Sequence, residues 1–236
     1  MNTDKGSDMS NKAKIREEAK KLNPIDDLMF RTMAEDKNFC EEILRVFLSD
    51  PRLSVLESTS QYAGTNLPGR FVILDAKCIL GDGRETDIEV QKANDTDHQR
   101  RVRYNGASLT TNLTDPGAKF QNIPDVCVVF ISRFDLFSGN RSLYHVDRVI
   151  RETGKVVDNG FEEVYVNAKV KDGSEVAELM EVFVDDAATT ANFPSPPAVN
   201  AGIKKQRRDS RLCVKLWKRL HKRNVMKAEL SFRCSL

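Results

Sequence analysis

No stretch of this sequence approaches the roughly 20 consecutive apolar residues needed to cross a bilayer as a helix. The first 22 residues, MNTDKGSDMSNKAKIREEAKKL, have no apolar segment of the secretory kind and mix acids with bases, unlike an Arg-rich transit peptide. A cytoplasmic protein without membrane contact is therefore expected. Disulfide and zinc scaffolds are equally poorly supported. The five cysteines (Cys40, Cys78, Cys127, Cys213 and Cys234) are odd in number, widely scattered and without a CxxC pair, so buried thiols are expected. Histidine is scarce. His98, His145 and His221 are the whole set, and none has a partner at HxxxH spacing; they are read as structural or surface residues.

What the chain does have is charge, unevenly placed. Of 37 Lys and Arg and 35 Asp and Glu, the segment from Pro194 onward holds 12 bases and 2 acids, which leaves the preceding residues with 25 bases against 33 acids. An acidic body thus precedes a basic tail. With 40% hydrophobic residues in 236, the body can bury one core of ordinary size, and a single domain with appendages is expected.

Residues 1–22 read as a polar, disordered leader. Asn23-Pro24-Ile25-Asp26-Asp27 offers helix-start chemistry before Leu28, Met29 and Met33, and a second amphipathic helix is expected from Asn38 to Leu48, closed by Asp50-Pro51. Phe71 to Leu80 reads as a strand, Gly81-Asp82-Gly83 as a hairpin turn and Arg84 to Gln91 as the return strand. Asp97 to Leu113 is expected to be a helix, and Val126 to Ile131 a strand covered on both faces. Tyr144 to Ile150 and Glu163 to Val170 read as strands, and Val176 to Phe183 as a helix before the Phe193–Pro197 punctuation. This order gives an α/β domain over residues 23–193.

The chemistry-bearing feature is the hairpin. Asp75 interrupts the apolar run FVILDAKCIL, where burial and strand propensity both oppose a carboxylate, and local violations of this kind mark functional sites. On the return strand, alternation puts Asp87, Glu89 and Gln91 on one face and Ile88 and Val90 on the other. Asp75 and Glu89 brought together would repel unless a cation neutralised them, and all-oxygen ligation with open water positions suits Mg²⁺ or Mn²⁺. Read without that cation, the same residues are a solvated hairpin face.

NPIDDLMFRTMAED, LDAKCILGDGRETDIEVQ, RRVRYNGASL and IPDVCVVFI together resemble the recombination-promoting nuclease, or putative transposase, family of the PD-(D/E)xK superfamily. The resemblance implies a restriction-endonuclease-like core, with a mixed central sheet flanked by helices, and DNA cleavage dependent on a divalent metal. It implies that Asp75 and Glu89 ligate the metal together with the Val90 carbonyl, and that Gln91 stands where the superfamily has a lysine. Glutamine carries no charge, so it can act only through hydrogen bonds, although the family commonly has glutamine here. The superfamily's helical acid would fall on Glu41 or Glu42, with Glu42 favoured, and Asp87 would assist from behind Glu89. Arg100, Arg101, Arg103 and Tyr104 are candidate DNA contacts, because guanidinium groups match phosphates; a charged outer helix face explains them as well. Cutting both strands of a duplex needs two sites or two visits, so a homodimer is one expectation. A catalytically inactive DNA-binding or interaction relic of the same fold is the alternative.

The tail over residues 194–236, with Trp217, has the composition of a nucleic-acid-binding arm. A second reading competes with it. The codon bases fixed by these residues permit, one frame away, a Glu-rich continuation similar to the family's own. On that reading the tail is the product of a frameshift near Pro194, and the third bases of the coding DNA decide the matter.

Overall fold

The computed structural model describes residues 22–64, 72–95 and 97–184; the leader over 1–21, the Phe193–Pro197 segment and the basic tail over 194–236 lie outside them. Two short helices come first, α1 (Asp27–Ala34) and α2 (Lys37–Phe47). Their apolar residues recur at helical spacing, so Met29, Phe30 and Met33 of α1 and Phe39, Ile43, Leu44 and Phe47 of α2 are buried on one side. Asp36 caps α2 by accepting the Asn38 N–H at 3.0 Å.

A meander of three antiparallel strands follows: β1 (Val55–Gly64), β2 (Val72–Leu80) and β3 (Glu85–Gln91). Helix α3 (His98–Leu113) then crosses over to β4 (Val126–Ser132), which lies parallel to β3, and β4 is parallel in turn to β8 (Phe161–Asn167). The edge strand β5 (Leu143–Val146) runs antiparallel to β8, which completes a mixed six-stranded sheet in the order β1-β2-β3-β4-β8-β5. Helix α4 (Glu175–Val184) closes the described chain. Helices α1, α2 and α4 share one core with Ala76, Ile88, Ile131 and Val166, while Val102 and Leu109 of α3 pack on Val128, Phe130 and Leu74. With helices on both faces, β4 is buried at every position, as its unbroken apolar run requires. The α/β architecture expected from the sequence, a mixed sheet flanked by helices, is the one observed. No helix among the described residues is long and apolar enough to cross a membrane.

Two elements differ from the sequence-based expectation. Strand β1 falls in a stretch for which no element was expected. The expected strand over Tyr144–Ile150 is instead two pieces, β5 and then β6 (Arg148–Ile150), which leaves the main sheet to form a hairpin with β7 (Lys155–Val157). Arg148 fixes the departure: its guanidinium donates to the Phe161 carbonyl at 2.9 Å and lies over that ring.

Gly106 sets how closely α3 seats on the sheet. A β-carbon there would drive into the Phe161 ring, and the helix carries Arg101 and Asn105 just before it. Gly106→Leu is therefore expected to lift α3 and destabilise the fold by about 1–3 kcal/mol, as overpacking does. Urea denaturation checks the magnitude.

Strand β2 changes faces at Asp75. Leu74 packs with Leu109 on the α3 side, whereas Ala76 packs with Ile88 on the α1 and α2 side. Across from Asp75 in β1, Gln61 adopts φ 53°, a left-handed conformation that side chains other than glycine seldom take. The run FVILDAKCIL is apolar on both faces because the strand serves two cores, and Asp75 sits at the switch between them.

Candidate active site

The β2–β3 ladder ends at Ala76–Ile88. One step further the side chains replace it. Asp75 Oδ2 accepts the Val90 N–H at 3.1 Å, and Glu89 Oε1 accepts the Asp75 N–H at 3.1 Å. Parting strands would leave these two N–H groups without partners, and buried amides need acceptors. The carboxylates supply them, so the same parting that opens the site also fixes both acids in it. Asp75 and Glu89 are only 6% and 5% exposed.

The remaining bonds of Asp75 come from α1. Arg31 donates to Asp75 Oδ1 through Nε at 3.2 Å and Nη2 at 2.9 Å, and its Nε also pairs with Asp27 Oδ1, one turn earlier, at 2.7 Å. Asp27 lies close enough to Asp75 for the neighbouring charge to raise its pKa, second only to its own desolvation. On β3, burial and then the Asp75 charge push the Glu89 carboxyl up to about 8, against the opposing Asp75 N–H bond and the charge of Arg101. Asp87 is fully buried and accepts from Asn105 Nδ2 at 3.2 Å. Its pKa is pushed well above the carboxylate range, by burial first and by Glu89 second. Three acids thus run inward from the cleft floor, and the two inner ones favour their neutral forms.

Gln91 ends β3 as a fixed hub. Its Nε2 donates to the Ala93 carbonyl at 2.9 Å and to Asp95 Oδ2 at 3.2 Å, and its Oε1 accepts from Arg101 Nη1 at 2.7 Å. The amide is therefore committed to holding the guanidinium of Arg101 beside the carboxylates. Arg100, Arg103 and Tyr104 line the same open cleft, of about 1190 Å³, with Ile73 on the other wall. Arg100 is largely exposed and pairs with Asp97 at 3.3 Å.

A family model described as PD-(D/E)XK nuclease family transposase matches residues 24–181. The chain belongs to this family. Neither the curated proteins nor the solved structures yield a match to it. The match takes in helices α1, α2 and α3, the whole sheet and every cleft residue named above, and it ends within α4, before the basic tail. Membership in a PD-(D/E)XK nuclease family carries a nuclease-type function and a nucleic-acid substrate.

For a PD-(D/E)XK site the donor set suits a hard, hydrated cation. Among the described residues no three His, Cys, Asp or Glu side chains are grouped to hold a metal on their own. A cation here would take Asp75, Glu89 and the Val90 carbonyl and keep several waters, which is how Mg²⁺ is usually held. The Val90 peptide faces the gap, since its N–H reaches Asp75 there and a strand residue's carbonyl points the same way as its N–H.

One sequence-based assignment moves. Glu42 does not line the cleft; it lies on α2, where its Oε1 accepts from Arg45 at 2.9 Å. Glu41 is likewise engaged, accepting the Val55 N–H at 2.9 Å. Helix α2 packs mainly on β1, one strand too far from the gap, and it is α1 that reaches β2 beside Asp75. Among the described residues that line the cleft, Asp27 is the acid carried on a helix. A usable signal was the Asp27–Arg31 pair at i,i+4 within NPIDDLMFRTMAED, though such a pair also decorates many exposed helices.

Proposed function

We propose that this chain is a divalent-metal-dependent DNA endonuclease, of the kind that serves transposition or recombination. The observation that carries the reading is the reciprocal bonding of Asp75 and Glu89 in the gap between β2 and β3, at the floor of an arginine-lined cleft. Asp75, Glu89 and the Val90 carbonyl would hold Mg²⁺ or Mn²⁺. A bound cation polarises a phosphoryl oxygen and lowers the pKa of a water for attack on phosphorus. The protein's part is to present Glu89 ionised, which means that its proton, favoured by burial, leaves as the cation enters. Gln91 holds Arg101 so that a fixed positive charge stands beside the scissile phosphate, where glutamine itself offers none. Arg100, Arg103 and Tyr104 extend the contact along the DNA backbone and position the duplex without reading its sequence. Asp27 bears on the site through Asp75 and Arg31.

Plasmid nicking by the purified full-length chain tests the reading. Open circles are expected with Mg²⁺ or Mn²⁺ and none with chelator, and two-strand cleavage at higher protein concentration would fit a homodimer. Full DNA binding without nicking in either metal would replace this reading with the inactive relic of the same fold.

A further inference from the structure

We propose that Arg31 is the resident counter-ion of the carboxylate pair, holding Asp75 in the metal-free protein and competing with the divalent cation for it. The proposal rests on the reading of the site as a metal centre.

Three features of the geometry carry it. Both Arg31 Nε and Nη2 converge on a single oxygen, Asp75 Oδ1, at 3.2 and 2.9 Å. The other Asp75 oxygen and Glu89 Oε1 are taken by backbone N–H groups within the strand gap. Oδ1 is thus the Asp75 oxygen that the strand backbone leaves to a side chain, and Arg31, which holds it, lines the cleft with Asp75. Second, two other cations that line the cleft are bound elsewhere, Arg101 to Gln91 at 2.7 Å and Lys92 to Asp26 at 2.5 Å. Among the described residues Arg31 is the cation hydrogen-bonded to the pair. Third, its remaining partner, Asp27, is on its own helix and mostly exposed. An Arg31 that let go of Asp75 would stay tethered at the cleft wall.

Buried carboxylates need an opposite charge, and here a side chain provides it before a metal does. A divalent cation and a guanidinium compete for Oδ1, because like charges at that distance repel. Metal entry therefore breaks two charge-assisted hydrogen bonds and frees the guanidinium. Released, Arg31 has donors facing the path of a DNA phosphate, a group its fork fits. Metal and DNA then favour each other's binding, and such linkage is reciprocal. Arg31 is a positioning residue in this scheme: it keeps the empty site folded and, once displaced, offers its charge to the substrate.

The test is Mn²⁺ affinity without DNA, measured by the electron paramagnetic resonance of free Mn²⁺ over full-length wild type, Arg31→Gln and Glu89→Gln. Arg31→Gln is expected to bind Mn²⁺ about tenfold more tightly than wild type. Its metal-free melting temperature should be lower, with the gap closing as Mn²⁺ is added. Equal or weaker Mn²⁺ affinity in Arg31→Gln, with wild-type binding intact and lost in Glu89→Gln, overturns the counter-ion role and leaves the metal centre standing. Absence of Mn²⁺ binding in both wild type and Arg31→Gln overturns both. Should Arg31→Gln not fold without metal, Arg31→Lys serves instead. Its single ammonium makes a weaker hold on Oδ1, so its Mn²⁺ affinity should exceed that of wild type by a smaller factor, and affinity no higher than wild type counts against the proposal.

Discussion

Glu89→Gln is expected to reduce metal-dependent cleavage by about 10²–10³-fold, a loss of the size found when a transition-state stabiliser is removed, while making the metal-free fold more stable at neutral and alkaline pH. The two effects share one cause. Gln keeps the oxygen that accepts the Asp75 N–H but carries no charge to hold a cation or to repel Asp75. In the wild type the Glu89 carboxyl titrates near 8 when folded, against an ordinary value of 4.5. The native state therefore binds more protons than the unfolded chain between those values. The stability this group contributes is fully present below 4.5 and is lost as pH rises to about 8, at up to about 1.4 kcal/mol per pH unit. Gln has no such slope, so the gap between variant and wild type should widen across that window and level off above it. Metal binding has the opposite sign: it needs the ionised acid, so affinity should climb with pH until about 8 and then flatten.

Asp75→Asn should abolish cleavage equally but without the gain in stability. The asparagine loses the charge that partners Arg31, and its amide can only partly replace the acceptor of the Val90 N–H. Urea denaturation in chelator over a pH series, beside nicking assays, reads both effects. Cleavage unchanged in both variants would remove these two residues from the chemistry.

The hairpin is legible in the sequence because β3 obeys the simplest rule available. Its alternation sorts Asp87, Glu89 and Gln91 onto one face, and α3 meets the first and last of them through Asn105 and Arg101. Asp75 was legible for the opposite reason, as an acid that breaks an apolar run. The face switch that accounts for that run was not legible, since it shows only in the separate cores that Leu74 and Ala76 join. Strand β1 gave no signal because it is an edge: of VLESTSQYAG only the two end residues are buried, and Ser, Thr and Gln between them carry no hydrophobic period. Asp27 and Arg31 do not stand out as cleft residues in the sequence for a related reason. A pair at i,i+4 looks the same on paper whether it faces water or a strand, and only the packing of α1 on β2 aims it at Asp75. Glu42 had the same helical credentials and packs elsewhere.

Arg101→Ala is expected to lower kcat by about 10²–10³-fold, with only a modest loss of DNA affinity, if its charge acts on the reacting phosphate. A residue that merely anchors a backbone phosphate predicts a different pattern: weaker binding across all sequences and a shallower salt dependence, with kcat preserved. The geometry favours the first. Arg101 is held at 2.7 Å by Gln91, two residues after Glu89 on the same strand, and its charge is felt by the Glu89 carboxyl. Arg100, by contrast, is exposed and paired with Asp97 at its own helix cap. A second substitution separates the roles. Gln91→Lys in the Arg101→Ala background returns a positive charge to the end of β3, within reach of the same phosphate, and should restore a large part of the lost kcat. Gln91→Lys alone should not help, because it sets an ammonium against the Arg101 guanidinium and removes the acceptor that holds it. Single-turnover cleavage beside fluorescence anisotropy of labelled DNA measures kcat and affinity separately. A double variant as slow as Arg101→Ala, with DNA affinity falling in step, would return Arg101 to the backbone contacts with Arg100 and Arg103.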